Sequence, residues 1–161
     1  IYMATEKLKF KLELYATMWN KPPIADISID SKNYFKEEIT STKDKPTIVE
    51  FEHELEESKS YNLIIDRSGK NKRETVVEDE KIVKDQLLHI KSIEIDEIDI
   101  GSLIYEGVYT PEYPEQWATQ QAKAGNKQPE TLKNVTEMGH NGTWTLTFNS
   151  PFYMWLLENL Y

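Results

Sequence analysis

In Lys7-Leu-Lys-Phe-Lys-Leu-Glu-Leu14, four apolar side chains (Leu8, Phe10, Leu12 and Leu14) alternate with Lys7, Lys9, Lys11 and Glu13. A strand turns successive residues to opposite faces, so this run presents one apolar face and one charged face; a helix would scatter the same four residues around its circumference. The alternation returns in residues 47–55, where Val49, Phe51, His53 and Leu55 share one face and Glu50, Glu52 and Glu54 the other. It returns again with Tyr61, Leu63 and Ile65 in residues 60–66, and with Trp144, Leu146 and Phe148 among the threonines of residues 142–149. Shorter alternating runs at 24–30 and 34–40 follow the break Asn20-Lys-Pro-Pro23, with Ser31, Lys32 and Asn33 as the turn between them.

Residues 87–100 contain three in-phase pairs: Leu88 and Ile90, Ile93 and Ile95, Ile98 and Ile100. Each change of phase implies a bulge or a turn, which Lys91-Ser92 and Asp96-Glu97 can carry. The chain closes with Ser150-Pro-Phe-Tyr-Met-Trp-Leu-Leu-Glu-Asn159, where Ser150 as N-cap and Pro151 at the first helical position predict a short C-terminal helix. Eight or nine short strands, no repeat and no amphipathic helix between strands predict an all-β fold. The expected architecture is an antiparallel two-sheet sandwich of the jelly-roll kind. Its expected core is Leu8, Phe10, Leu12, Leu14, Phe51, Leu63, Ile65, Ile93, Ile95, Trp144, Leu146 and Phe148.

The 161 residues fit a single domain spanning 1–161. Residues 106–130 lack a clear period and collect Gly107, Pro111, Pro114, Gly125 and Pro129, so they read as one long loop insertion. With 28 acidic against 19 basic residues the formal net charge is −9, which argues against a general nucleic-acid binder. Mean hydropathy of −0.64, no apolar run of membrane-spanning length and no signal-peptide core predict a soluble, unsecreted domain. The absence of cysteine excludes disulfides, thiolate metal sites and cysteine nucleophiles. Four basic residues without an acid in Arg67-Ser-Gly-Lys-Asn-Lys-Arg73 read as a solvated hairpin tip.

No Gly-x-Ser-x-Gly elbow, metal-spaced histidine pair or phosphate-cradling glycine loop is present, and the domain is expected not to be an enzyme. The acids Glu74, Glu78, Asp79, Glu80 and Asp85 flank the connection before the strand that begins at Leu87. Calcium needs six to eight oxygens, and Glu78, Asp79 and Asp85 are its candidate ligands. Tyr105, Tyr109, Tyr113 and Trp117 recur every fourth residue across prolines that disfavour a continuous helix. Such rings either fold under the loop as a small core or are displayed for contact; Tyr109, Tyr113 and Trp117 are the candidate anchors for a glycan or a protein partner.

Three strings carry a resemblance: Lys7–Trp19 with Asn20-Lys-Pro-Pro23, the run from Ile82 to Gly101, and the ending from Gly142 to Asn159. They resemble a small domain of the structural proteins of tailed bacteriophages, notably marine ones. That domain is similar in strand pattern to the calcium-dependent xylan-binding carbohydrate-binding modules, which are jelly rolls. The resemblance implies a non-enzymatic binding or structural module of a virion, made in the bacterial cytoplasm, with a glycan or a virion subunit as partner and calcium as a candidate cofactor. It places ligands in loops at one end of the sandwich. The alternatives are a glycan-active enzyme, which would show a pocket with two facing carboxylates, and a purely architectural domain.

Overall fold

The computed structural model describes residues 4–70, 76–79, 81–113, 115–125 and 129–160; the side chains of 76, 77, 81–84 and 115–117 lie outside it. In chain order the elements are β1 (Thr5–Thr17), β2 (Ile24–Ile29), β3 (Lys32–Glu38), β4 (Thr47–Glu56), β5 (Ser60–Ser68), β6 (Val76–Glu78), β7 (Lys81–Lys84), β8 (Leu87–Ile95) and β9 (Ile98–Asp99). A 3-10 segment over Gly101–Glu106 leads to β10 (Val108–Pro111), α1 (Glu115–Lys123), β11 (Leu132–Lys133), β12 (Glu137–Met138), β13 (Gly142–Asn149) and α2 (Phe152–Leu160).

Two antiparallel sheets pack face to face, as the alternation requires. One has the order β12-β8-β1-β4 with β9 on β8, the other β11-β10-β13-β5-β2-β3, and β6-β7 is a separate hairpin. The chain passes repeatedly from one sheet to the other, in the manner of a jelly roll. Every expected core residue is buried except Phe51, which is half-buried on β4 and packs against the core. Between Glu13 and Leu14 the β1–β8 register slips, so that Ser92 and Ile90 face consecutive β1 residues and Lys91 is the bulged residue. Asp96 and Glu97 both take positive φ, +55° and +68°, the geometry of a tight two-residue hairpin turn.

Several expectations are corrected, two of them by the fold itself. Residues 106–130 are not one loop: Val108–Pro111 pairs with β13, and a helix begins after Pro114 in Glu-Gln-Trp-Ala-Thr-Gln-Gln-Ala-Lys123. Proline stops a helix from running through it but is tolerated at a helix start, and the residues that follow are mostly good helix formers. Gly107 reflects packing more than turn chemistry, since a Cβ there would lie 2.2 Å from the Trp144 indole. At α2 the helix stands as expected, but its cap comes from β1: the Glu6 carboxylate accepts from the Phe152 N–H at 2.7 Å and from the Ser150 hydroxyl at 3.1 Å. The others, Arg67 among them, belong to the candidate site.

Candidate functional site

The strand registers put the longer connections at one end. Thr17 pairs with Leu87, Leu14 with Thr47, Ile24 with both Ser68 and Glu38, and Gly142 with Arg67 and Pro111. Connections 18–23, 39–46, 69–86, 112–131 and 139–141 therefore meet at this end, whereas the opposite end has the tight turns at 30–31 and 96–97 together with α2. Rigid scaffolds commonly carry recognition on such loops. All six residues singled out from the sequence lie on connections or strand ends on this side, though they play different parts there.

Two buried polar side chains fasten the loops. Arg67 sits near the end of β5 with the inward parity of Tyr61, Leu63 and Ile65, and is 0% exposed. Its Nε donates to the Met138 carbonyl (3.2 Å), Nη1 to Asn141 Oδ1 (2.9 Å) and Nη2 to the Gln86 carbonyl (2.6 Å). The solvated tip expected at Arg67–Arg73 is thus wrong for Arg67: strand parity turns the residue inward, and its length carries the guanidinium to the loop carbonyls. Gln86, equally buried, donates from Nε2 to the carbonyls of Lys21 (2.9 Å) and Gly69 (3.3 Å), while Asn141 exchanges hydrogen bonds with the Lys70 backbone at 3.0 Å. Three of the five connections, 18–23, 69–86 and 139–141, are tied together by this framework.

Tyr109 is corrected as a displayed anchor. It pairs across the ladder with Trp144, is 2% exposed, and its hydroxyl donates to the His140 carbonyl and accepts from the His140 N–H at 3.0 Å. Burial pushes its phenol up to about 12. It is a core residue that holds the 139–141 loop. Tyr113 is half-buried; its hydroxyl donates to the Pro129 carbonyl at 2.7 Å and its ring meets that of His140 edge-on at 5.1 Å. Trp117 lies on α1, and its side chain is outside the described residues. Burial, and then the nearby Lys70 ammonium, lower the His140 pKa, so the imidazole between Tyr113 and Lys70 is neutral at pH 7.

The calcium candidates are not assembled into a cage. The Asp85 carboxylate accepts from the Lys70 ammonium and from the Gln86 N–H, both at 2.8 Å, whereas Glu78 and Asp79 are exposed at the β6–β7 turn. Among the described residues no three His, Asp or Glu side chains gather as ligands; Glu74 and Glu80 lie outside them. An ammonium at a carboxylate is a poor setting for a divalent cation, so Asp85, paired with Lys70, does not fit a calcium ligand.

Sequence reasoning passed over Trp19. It is 43% exposed on a turn where Trp19 bridges Lys21 and Asn20 takes φ +74°, and Gln86 anchors that turn through the Lys21 carbonyl. The signal available was an aromatic at the end of an alternating run, directly before the Asn20-Lys-Pro-Pro23 break. Also passed over was Asp66, which lies opposite Asp26 on the outer face of the six-stranded sheet. Burial, then Asp26 and Glu112, raise its pKa. A shallow concavity of about 600 Å³ lies on the other sheet, lined by Lys9, Lys11, Glu50, Glu52, Glu94 and Glu97. The raised carboxyl and this concavity are on different sheets.

No family model and no curated protein sequence matches the chain. Its fold is similar to a solved structure, the SeMet form of vCBM60, described in the words "circular permutation provides an evolutionary link between two families of calcium-dependent carbohydrate binding modules". The two share 8% of residues over 86% of this chain and 89% of that chain, with a TM-score of 0.50. At that identity the likeness establishes the two-sheet sandwich and nothing of the site.

Proposed function

We propose that this domain is a non-catalytic glycan-binding module whose contact surface is the loop-rich end of the sandwich. The observation that carries the reading is Trp19, a large exposed ring on a turn that buried Gln86 anchors, at the same end as the Tyr113–His140 pair. Flat rings give contact area to sugar faces at low entropic cost, and loops already fixed by Arg67 and Gln86 lose little freedom on binding. The fold neighbour is a carbohydrate-binding module, which supports the same reading. A net charge of −9 favours neutral over polyanionic glycans. The reading includes no metal-dependent step, because Asp85 is held by the Lys70 ammonium and no three described acids gather as ligands. A place in a tailed-phage virion is part of the proposal and rests on the three resembling strings, which form β1, β8 with β9, and β13 with α2.

Glycan-array binding and melting temperature, measured on the parent and on Trp19→Ala, test it. The parent is expected to retain a defined set of neutral glycans, and Trp19→Ala to lose about tenfold or more in affinity at unchanged melting temperature. A parent that retains no glycan, or a variant that binds like the parent, refutes the proposal.

One observation favours a second reading, a glycan-active enzyme. Asp26 and Asp66 are direct cross-strand neighbours, with β-carbons about 5 Å apart, and one carboxyl is held protonated to higher pH than usual. Polysaccharide cleavage by the parent that Asp66→Asn abolishes would establish that reading over the first.

A further inference from the structure

Among the described residues the strand β4 closes one sheet with a neighbour on one side only, β1. Its outward residues Glu50, Glu52 and Glu54 stand opposite Lys11, Lys9 and Lys7, and Lys7 also reaches Glu52 at 3.0 Å. Its inward residues Phe51 and His53 are half-buried, covered from β3 by Tyr34, whose ring stacks on Phe51 at 4.3 Å and whose hydroxyl bonds His53 Nδ1. Ile48 is 52% exposed. Across β4, β1 and β8 the outward glutamates Glu13, Glu50, Glu52, Glu54, Glu56 and Glu94 outnumber Lys7, Lys9, Lys11 and the bulged Lys91, so this face carries excess negative charge.

An edge strand of ten residues is a template for another strand. β1 shows which sequence β4 accepts: lysines on the glutamate face alternating with apolar residues toward the core. We propose that the free edge of β4 docks an extended segment of a partner protein in which lysine alternates with an apolar residue. Lysines of that segment would complete the charge ladder on Glu50, Glu52 and Glu54, and its apolar side chains would extend the inner row beside Phe51 and His53. A second copy of this chain fits poorly, because antiparallel β4–β4 pairing sets glutamates against glutamates. The surface is separate from the loop-rich end, so this proposal stands or falls without the glycan reading.

The test uses fluorescence anisotropy with three labelled peptides spanning the length of β4: alternating lysine and valine, alternating glutamate and valine, and alternating lysine and proline. The last keeps the charge but cannot form a ladder. Amide hydrogen exchange maps the bound site. The lysine–valine peptide is expected to bind the parent and protect β4 amides, the other two at least about tenfold more weakly, and Glu50→Gln/Glu52→Gln/Glu54→Gln to weaken it about tenfold. Equal binding of the lysine–proline peptide, protection away from β4, no binding at all, or a parent that sediments as a dimer with β4 protected would each overturn the proposal.

Discussion

Replacing Arg67 with methionine removes a buried charge and its fork while retaining most of the side-chain volume. Two effects oppose each other. The native fold bears the cost of desolvating a guanidinium, which methionine relieves, and this by itself would stabilise the variant. Against it, the Met138 and Gln86 carbonyls lose their guanidinium donor inside the protein, and Asn141 Oδ1 keeps only the Lys70 N–H. Each orphaned acceptor costs about 1 to 3 kcal/mol. With two carbonyls orphaned on separate segments, and no described neighbour placed to serve both, orphaning wins, and the expected net loss is about 3 kcal/mol. At a slope of about 2 kcal/mol per molar urea, the unfolding midpoint should fall by about 1.5 M. Arg67→Lys, which keeps the charge but not the fork, should fall between. Hydrogen exchange should show the Met138–Asn141 backbone losing protection before the β5 core does, because Arg67 is what ties that loop to the strand. A midpoint shift below about 0.3 M for the methionine variant, or uniform loss of protection, would refute the reasoning.

Two further outcomes follow from the same geometry. Tyr109→Phe should cost about 1 to 2 kcal/mol in urea unfolding, since it strips the His140 backbone of both its contacts with the hydroxyl, and should leave glycan affinity unchanged. Asp66→Asn should raise stability at pH 7 and leave it unchanged at pH 3. The native carboxyl holds its proton to higher pH than the unfolded one, so its contribution is most favourable below the ordinary value of 3.8 and is lost as pH rises through the folded value; the gain should be a few tenths of a kcal/mol for a solvent-screened cross-strand pair, read from melting temperature against pH.

The candidate site was legible in part, and the misses have a common form. Asp85 and Tyr113 do lie at the loop end, where ligands of the resembling modules were expected, but the structure assigns them partners in Lys70 and Pro129. Tyr109 was read as part of an irregular loop because Gly107 and Pro111 flank it. The flanking residues serve other ends, room for the Trp144 indole and the close of a short strand, and Val108–Pro111 pairs through backbone atoms whatever the side chains. Arg67 was grouped with its charged neighbours by composition, although its parity with Leu63 and Ile65 was in plain view.

What the sequence determined by itself is the sandwich and its inner face. A period of two is a local property of the chain, and β1, β4, β5, β8 and β13 each declare which side is apolar before any partner is known. What only the tertiary structure decided is which loops share an end, which polar side chains are enclosed there, and which rings remain outside. Those outcomes depend on strand order and register, set by contacts between residues as distant as Glu6 and Phe152 or Arg67 and Asn141. No local pattern encodes such pairs, because an arginine at a strand end is written identically whether its guanidinium meets water or three loop acceptors.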